Sequence, residues 1–148
     1  EQLQKLLTMS FSNLNVKITD STHSALSASD LVITKSGTST LEAALHKKPM
    51  VVVYKMSSLS YWFLKIFNIV QTEYIALPNI LLGKKLVPEL IQENASSKAI
   101  FTESLFWLSN HQKTKELQQQ FDLLHSQLQQ NASFLAASTI VKMLQQKK

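Results

Sequence analysis

Between Leu31 and Tyr54 the chain places two apolar segments around a single glycine, and that order admits few folds. Leu31-Val-Ile-Thr34 reads as a strand, Ser36-Gly37-Thr38 as a tight turn, Ser39 to Lys47 as a helix, and Met50-Val-Val-Val-Tyr54 as a second strand. Leu41, Ala44 and Leu45 fall on one stripe of that helix, and Pro49 forbids its continuation. The second strand is apolar at nearly every position, as a strand covered on both faces is. Strand, helix and strand in succession then imply parallel pairing through a crossover, which is the α/β class.

The flanking sequence extends this pattern. Leu14-Asn-Val-Lys-Ile18 alternates apolar and polar residues like a strand, and Asp20 or Ser21 is placed to cap a short helix ending near Ser27. Tyr74-Ile-Ala-Leu77 reads as a further strand before Pro78, and Pro88-Glu-Leu-Ile-Gln92 as a helix with proline in its first turn. From Ser96 the spacing becomes helical, with stripes at Ile100, Leu105 and Leu108, at Leu117, Phe121, Leu124 and Leu128, and at Leu135, Ala136, Ile140 and Leu144. The expected organisation is one domain over 1–148, with an α/β core at 14–92 and a helical tail at 96–146.

Composition narrows the chemistry. With 148 residues, 45% of them hydrophobic and 17% charged, the chain has the apolar content for one buried core and lacks the signature of disorder. A formal charge of +5 and a pI near 9.5 favour anionic partners. The lysines are scattered and not interleaved with aromatics, which argues against nucleic acid. The absence of cysteine excludes disulfides, thiolate metal sites and cysteine nucleophiles, and fits a cytoplasmic protein. His23, His46, His111 and His125 have no ligand-like spacing, so no metal is expected, and His46 is assigned to a helix end or the surface.

The opening EQLQKLLTMSFS has no secretory-signal pattern and reads as a helix cut at its start. The apolar stretch Leu59 to Val70 is too short to cross a bilayer. Its Tyr61, Trp62 and Phe63 fit core packing first, and a helix lying against acyl chains or a membrane surface second. Gln145-Gln-Lys-Lys148 is read as a solvated tail.

Only two glycines occur, Gly37 and Gly83, and each is expected where a side chain would obstruct the backbone. Gly37 lies between a strand and the first turn of a helix, where unpaired amides and the helix dipole together make an anion site. Ser36, Thr38 and Thr40 add hydroxyls, and Lys35 adds charge. The same pattern also describes a simple capped turn. Glu42, in the same helix, is placed to accept both hydroxyls of a ribose, or to complement the helix dipole.

Five blocks together carry a resemblance: Ser36 to Leu45, Pro49 to Tyr54, Ser60-Tyr-Trp62, Leu77-Pro-Asn-Ile-Leu81 and Pro88 to Gln92. In order and spacing they resemble the signature segments of the lipid-A-disaccharide synthase family, over the C-terminal portion of its members. The resemblance implies a Rossmann-like parallel sheet with flanking helices and a helical C-terminal tail, forming one half of a two-domain GT-B glycosyltransferase. It implies binding of UDP-2,3-diacylglucosamine and inverting transfer to 2,3-diacylglucosamine 1-phosphate, with no cofactor and no essential metal. The general base would come from an N-terminal domain outside this sequence, leaving this portion inactive alone.

Carried over by position, Ser36, Gly37, Thr38 and Thr40 resemble the diphosphate-binding turn and Glu42 the ribose-binding carboxylate. Lys55, where the family commonly has arginine, Asn79, Glu89 and Gln92 become further candidates for substrate contact. The implied partners are the two lipid substrates, the N-terminal domain, the cytoplasmic face of the inner membrane and a second copy of the chain. A non-catalytic nucleotide- or phosphate-binding module, or a dimerisation module, is the alternative.

Overall fold

The computed structural model describes residues 14–57, 73–129 and 132–145. Ser21 caps α1 (Thr22–Ala28) as the sequence predicts, its hydroxyl accepting the Ser24 amide at 3.2 Å. Strand β1 (Val32–Lys35) leads through Gly37 into α2 (Thr38–Leu45), and β2 (Met50–Tyr54) returns parallel to β1, pairing Val32 with Met50 and Lys35 with Val53. After α3 (Leu77–Leu82), β3 (Glu89–Ile91) adds in parallel to the free edge of β2. The sheet order is β1-β2-β3, a Rossmann-like α/β arrangement.

Three helices follow: α4 (Ser97–Ser109), α5 (His111–Leu128) and α6 (Ala132–Gln145). Central placement of β2 explains its composition, since Met50, Val51 and Val52 are each 0% exposed. Ala43 and Ala44 of α2 and Trp107 of α4 join this strand in one core, which Leu117, Phe121 and Leu124 of α5 extend through its packing on α2, α3 and α4. Burying a side chain of the size of Phe121 contributes roughly 1.5–3 kcal/mol.

Four expectations are corrected. The segment from Pro88 to Gln92 is not a helix: Glu89–Ile91 is a strand, and Gln92–Asn94 a single 3-10 turn. Proline at a strand start loses no ladder bond, and the Pro88 carbonyl accepts the Val52 amide at 3.0 Å. Tyr74–Leu77 is not a strand, because side chains take its backbone donors and Leu77 already opens α3 with Pro78 in the first turn. Leu14–Ile18 forms no strand, and Leu14, Val16 and Ile18 are exposed. The buried stripe of α2 is Thr40, Ala43 and Ala44, with Leu41 and Leu45 partly covered. Small side chains let this helix sit close to the sheet.

The C-terminal ends of α2 and α3 use left-handed residues. α2 stops in a Schellman pattern, with the Lys47 amide on the Ala44 carbonyl (2.9 Å) and the Lys48 amide on that of Ala43 (3.0 Å). Lys47 holds φ at 58° without being glycine, and its ammonium is anchored on the Phe121 carbonyl (2.8 Å) and Asp122 (3.1 Å) of α5. Gly83 closes α3 at φ 61° and ψ 27°, with nothing within 4 Å of a Cβ added there. Gly83→Asn is therefore expected to cost less than about 1 kcal/mol in chemical denaturation, because asparagine tolerates this region. A larger loss would mean that space matters there.

Candidate functional site

A parallel sheet delivers the ends of all its strands to one edge, and the sequence elements singled out above meet there. Ser36-Gly37-Thr38 follows β1, Lys55 and Met56 follow β2, and Gln92 follows β3. Gly37 and Thr38 are both exposed. Gly37 has φ 152° and ψ −164°, a region essentially reserved for glycine, and it serves as the N-cap of α2 with no side chain capping the helix. The requirement for glycine is one of conformation alone: a Cβ at Gly37 would meet nothing within 4 Å, contrary to the obstruction expected.

The hydroxyls around the turn divide into two kinds. Ser36 Oγ donates its proton to the Ile75 carbonyl at 2.6 Å. Thr40, fully buried, donates to the Gly37 carbonyl at 2.7 Å and accepts the Leu77 amide at 3.2 Å. Ser39 Oγ bonds Thr34 Oγ1 at 2.8 Å. A hydroxyl has one proton, so Ser36 and Thr40 have theirs committed inside the protein, whereas Thr38 faces solvent at the first helical position. Glu42 is exposed one turn further along, on the same face as Thr38. Lys35 lies 5.5 Å from the centre of the Tyr54 ring, and Lys55 is exposed.

Asn79, Glu89 and Gln92 are turned inward as fasteners. Asn79, 0% exposed, accepts the Leu86 and Val87 amides (2.8 and 3.0 Å) and donates to the Val87 carbonyl and to Glu89 (both 2.9 Å). Glu89 accepts the Ile75 amide (3.0 Å to Oε2) and the Ala76 amide (2.8 Å to Oε1). Gln92, held at φ 51°, accepts the Met56 amide at 3.0 Å and donates to its carbonyl at 3.4 Å. Tyr74, just before this segment, is raised above its ordinary pKa by desolvation and then by its bond to Glu73 (3.1 Å), so at neutral pH it remains a donor. Sequence reading missed the part played by Ile75, Ala76 and Leu77, whose backbone amides and carbonyl tie the turn to Glu89.

Tyr61, Trp62 and Phe63 lie outside the described residues. Among the described residues no helix is long and apolar enough to cross a membrane. Rings of His23 and His46 meet edge to face at 4.7 Å, yet no group of three or more His, Cys, Asp or Glu gathers as a metal cluster among the described residues. An open groove of about 390 Å³ lies at the opposite end of the sheet, between Asp30, Lys48, Trp107 and His111.

The family model described as lipid-A-disaccharide synthetase matches residues 1–143. Proteins named lipid-A-disaccharide synthase from Xylella fastidiosa (strain M12) and Saccharophagus degradans are 44% and 42% identical over 86% and 85% of this chain. One from Legionella pneumophila (strain Lens), named lipid-A-disaccharide synthase 2, is 43% identical over 91%. These alignments cover 33%, 32% and 34% of the respective relatives, so the chain spans about a third of their length. With a turn and helix start open at the carboxyl edge of a parallel sheet and a family match over nearly its whole length, the chain belongs to the lipid-A-disaccharide synthetase family.

Proposed function

We propose that this chain is the donor-binding part of a glycosyltransferase of lipid A biosynthesis with GT-B architecture, holding UDP-2,3-diacylglucosamine by its diphosphate. The observation that carries this reading is the exposed Gly37-Thr38 turn at the start of α2. Amides at a helix start, aided by the helix dipole, attract a dianionic group without a cationic side chain in contact. Gly37 and Thr38 make the direct contacts on this reading, while Ser36 and Thr40 hold the turn. Glu42, one turn along the exposed face, receives the ribose hydroxyls.

As the bond from the sugar C1 to the β-phosphate breaks, negative charge grows on the departing UDP. Fixed N–H dipoles at the turn stabilise that charge where it develops, which favours the transition state over bound donor. The acceptor, 2,3-diacylglucosamine 1-phosphate, and the general base belong to the part of the relatives beyond the matched third. Turnover by this chain alone is therefore not expected. Both substrates carry acyl chains, which supports work at the cytoplasmic face of the inner membrane, with Tyr61, Trp62 and Phe63 as contact candidates and a second copy of the chain as a possible partner.

Calorimetric titration separates the roles. UDP is expected to bind, and Glu42→Ala to weaken it about tenfold, the equivalent of losing about 1.4 kcal/mol. Inorganic pyrophosphate has no ribose, so its affinity should be the same in both proteins. Equal loss for both ligands would move Glu42 from the ribose to the general field of the helix.

A further inference from the structure

The segment Ile75-Ala76-Leu77 is a backbone shelf bonded from two sides. On one side stands the turn: Ser36 Oγ holds the Ile75 carbonyl at 2.6 Å, and the Leu77 amide is held by Thr40 Oγ1 at 3.2 Å. That same Thr40 hydroxyl fixes the Gly37 carbonyl at 2.7 Å, the group on which the first turn of α2 is built. On the other side stands Glu89, on β3, at the opposite edge of the sheet from β1. Its Oε1 receives the Ala76 amide at 2.8 Å and Asn79 Nδ2 at 2.9 Å, and its Oε2 receives the Ile75 amide at 3.0 Å.

Three N–H donors converge on one side chain, and since the Ile75 amide also lies 3.1 Å from Oε1, the second oxygen takes a share of a load that would crowd one oxygen alone. Glutamine has the same shape but would present an NH2 to one of those donors. Shelf and turn are linked, because the Ile75 and Ala76 amides held by Glu89 flank the Ile75 carbonyl held by Ser36 and precede the Leu77 amide held by Thr40. We propose that Glu89 is a positioning residue for the diphosphate: through Ile75–Leu77 it sets the Ser36 and Thr40 hydroxyls, and thereby the direction of the amides at Gly37 and Thr38. The inference rests on the diphosphate reading of the turn given above, and it replaces direct substrate contact as the role of Glu89.

The test is a double-mutant cycle of Glu89→Gln and Ser36→Ala in this chain, read by titration with UDP and with inorganic pyrophosphate and by amide NMR without ligand. Glu89→Gln should weaken UDP and pyrophosphate by the same factor, about tenfold, because the change falls on the diphosphate and spares the nucleoside. The Gly37 and Thr38 amide resonances should shift, although Glu89 lies two strands away from β1. Since both substitutions act through one shelf, the double variant should lose little more than the worse single one. Losses that multiply, or unmoved Gly37 and Thr38 amides with unchanged affinities, overturn the proposal. A wild-type chain that binds neither ligand overturns the diphosphate reading itself. Should Glu89→Gln fail to fold, Ser36→Ala cuts the shelf from the turn side alone, and unchanged resonances and pyrophosphate affinity there count equally against it.

Discussion

Changing Asn79 to leucine is expected to destabilise the fold by roughly 3–5 kcal/mol, the largest loss of any substitution considered. The side chain is fully buried and makes four hydrogen bonds, two accepted from the Leu86 and Val87 amides and two donated to the Val87 carbonyl and Glu89. Leucine fills the space but leaves two backbone donors and a carbonyl without partners, the amide and carbonyl of Val87 being buried and the amide of Leu86 partly so. Each such group costs about 1–3 kcal/mol, against the modest gain of an extra buried aliphatic group. In urea denaturation with a slope near 2 kcal/mol/M, typical for small proteins, the midpoint should fall by about 1.5–2.5 M. A fall below about 0.5 M would mean that the loop from Lys84 to Val87 finds other partners. Asn79→Asp should also be costly, since it keeps the two acceptors but sets a carboxylate beside Glu89 Oε1 in place of a donor now 2.9 Å away.

The contrast between Asn79 and Gly37 shows which part of this molecule a sequence exposes. β2 was legible because a strand covered on both faces must be apolar, and Met50 to Val52 are fully buried. The turn at Gly37 was legible because a lone glycine between strand and helix has few other uses. Pro88 to Gln92 misled because proline suits a helix start and a strand start alike, and only the open edge of β2 decides between them. Tyr74 to Leu77 misled because its apolar pattern is that of a strand, while the partners of its amides are Glu89 and Thr40, 13 or 14 residues later and 37 earlier. Periodicity reports which side chains are buried and carries no record of which side chain completes a distant backbone bond. Asn79, Glu89 and Gln92 entered as candidates through the resemblance alone, and periodicity gave no sign of the internal bonds that they make. The available signal was local: Asn79 stands between Pro78 and Ile80 in an otherwise apolar run, where a polar side chain needs internal partners.

Replacing Gly37 by valine is expected to lower UDP affinity about 100-fold, or about 2.7 kcal/mol, while leaving the fold intact. A non-glycine residue at φ 152° and ψ −164° carries roughly 1–3 kcal/mol of backbone strain. The protein can hold that conformation and lose stability, or release it and lose the aim of the amides. Gly37 is exposed and nothing lies within 4 Å of a Cβ there, so only the bonds from Thr40 to its carbonyl resist release, and most of the loss falls on binding. The same fact predicts that Gly37→Ala suffers nearly as much as Gly37→Val, since the first carbon already forbids the conformation and the branch meets no neighbour. If space were the constraint, alanine would be tolerated and valine would not. Calorimetry with UDP on the two variants, alongside their thermal midpoints, separates these cases. Unchanged affinity in Gly37→Val removes the turn from the site, whatever the family match implies. Matched losses in both variants with little change in midpoint leave the direction of the amides as the property on which binding depends.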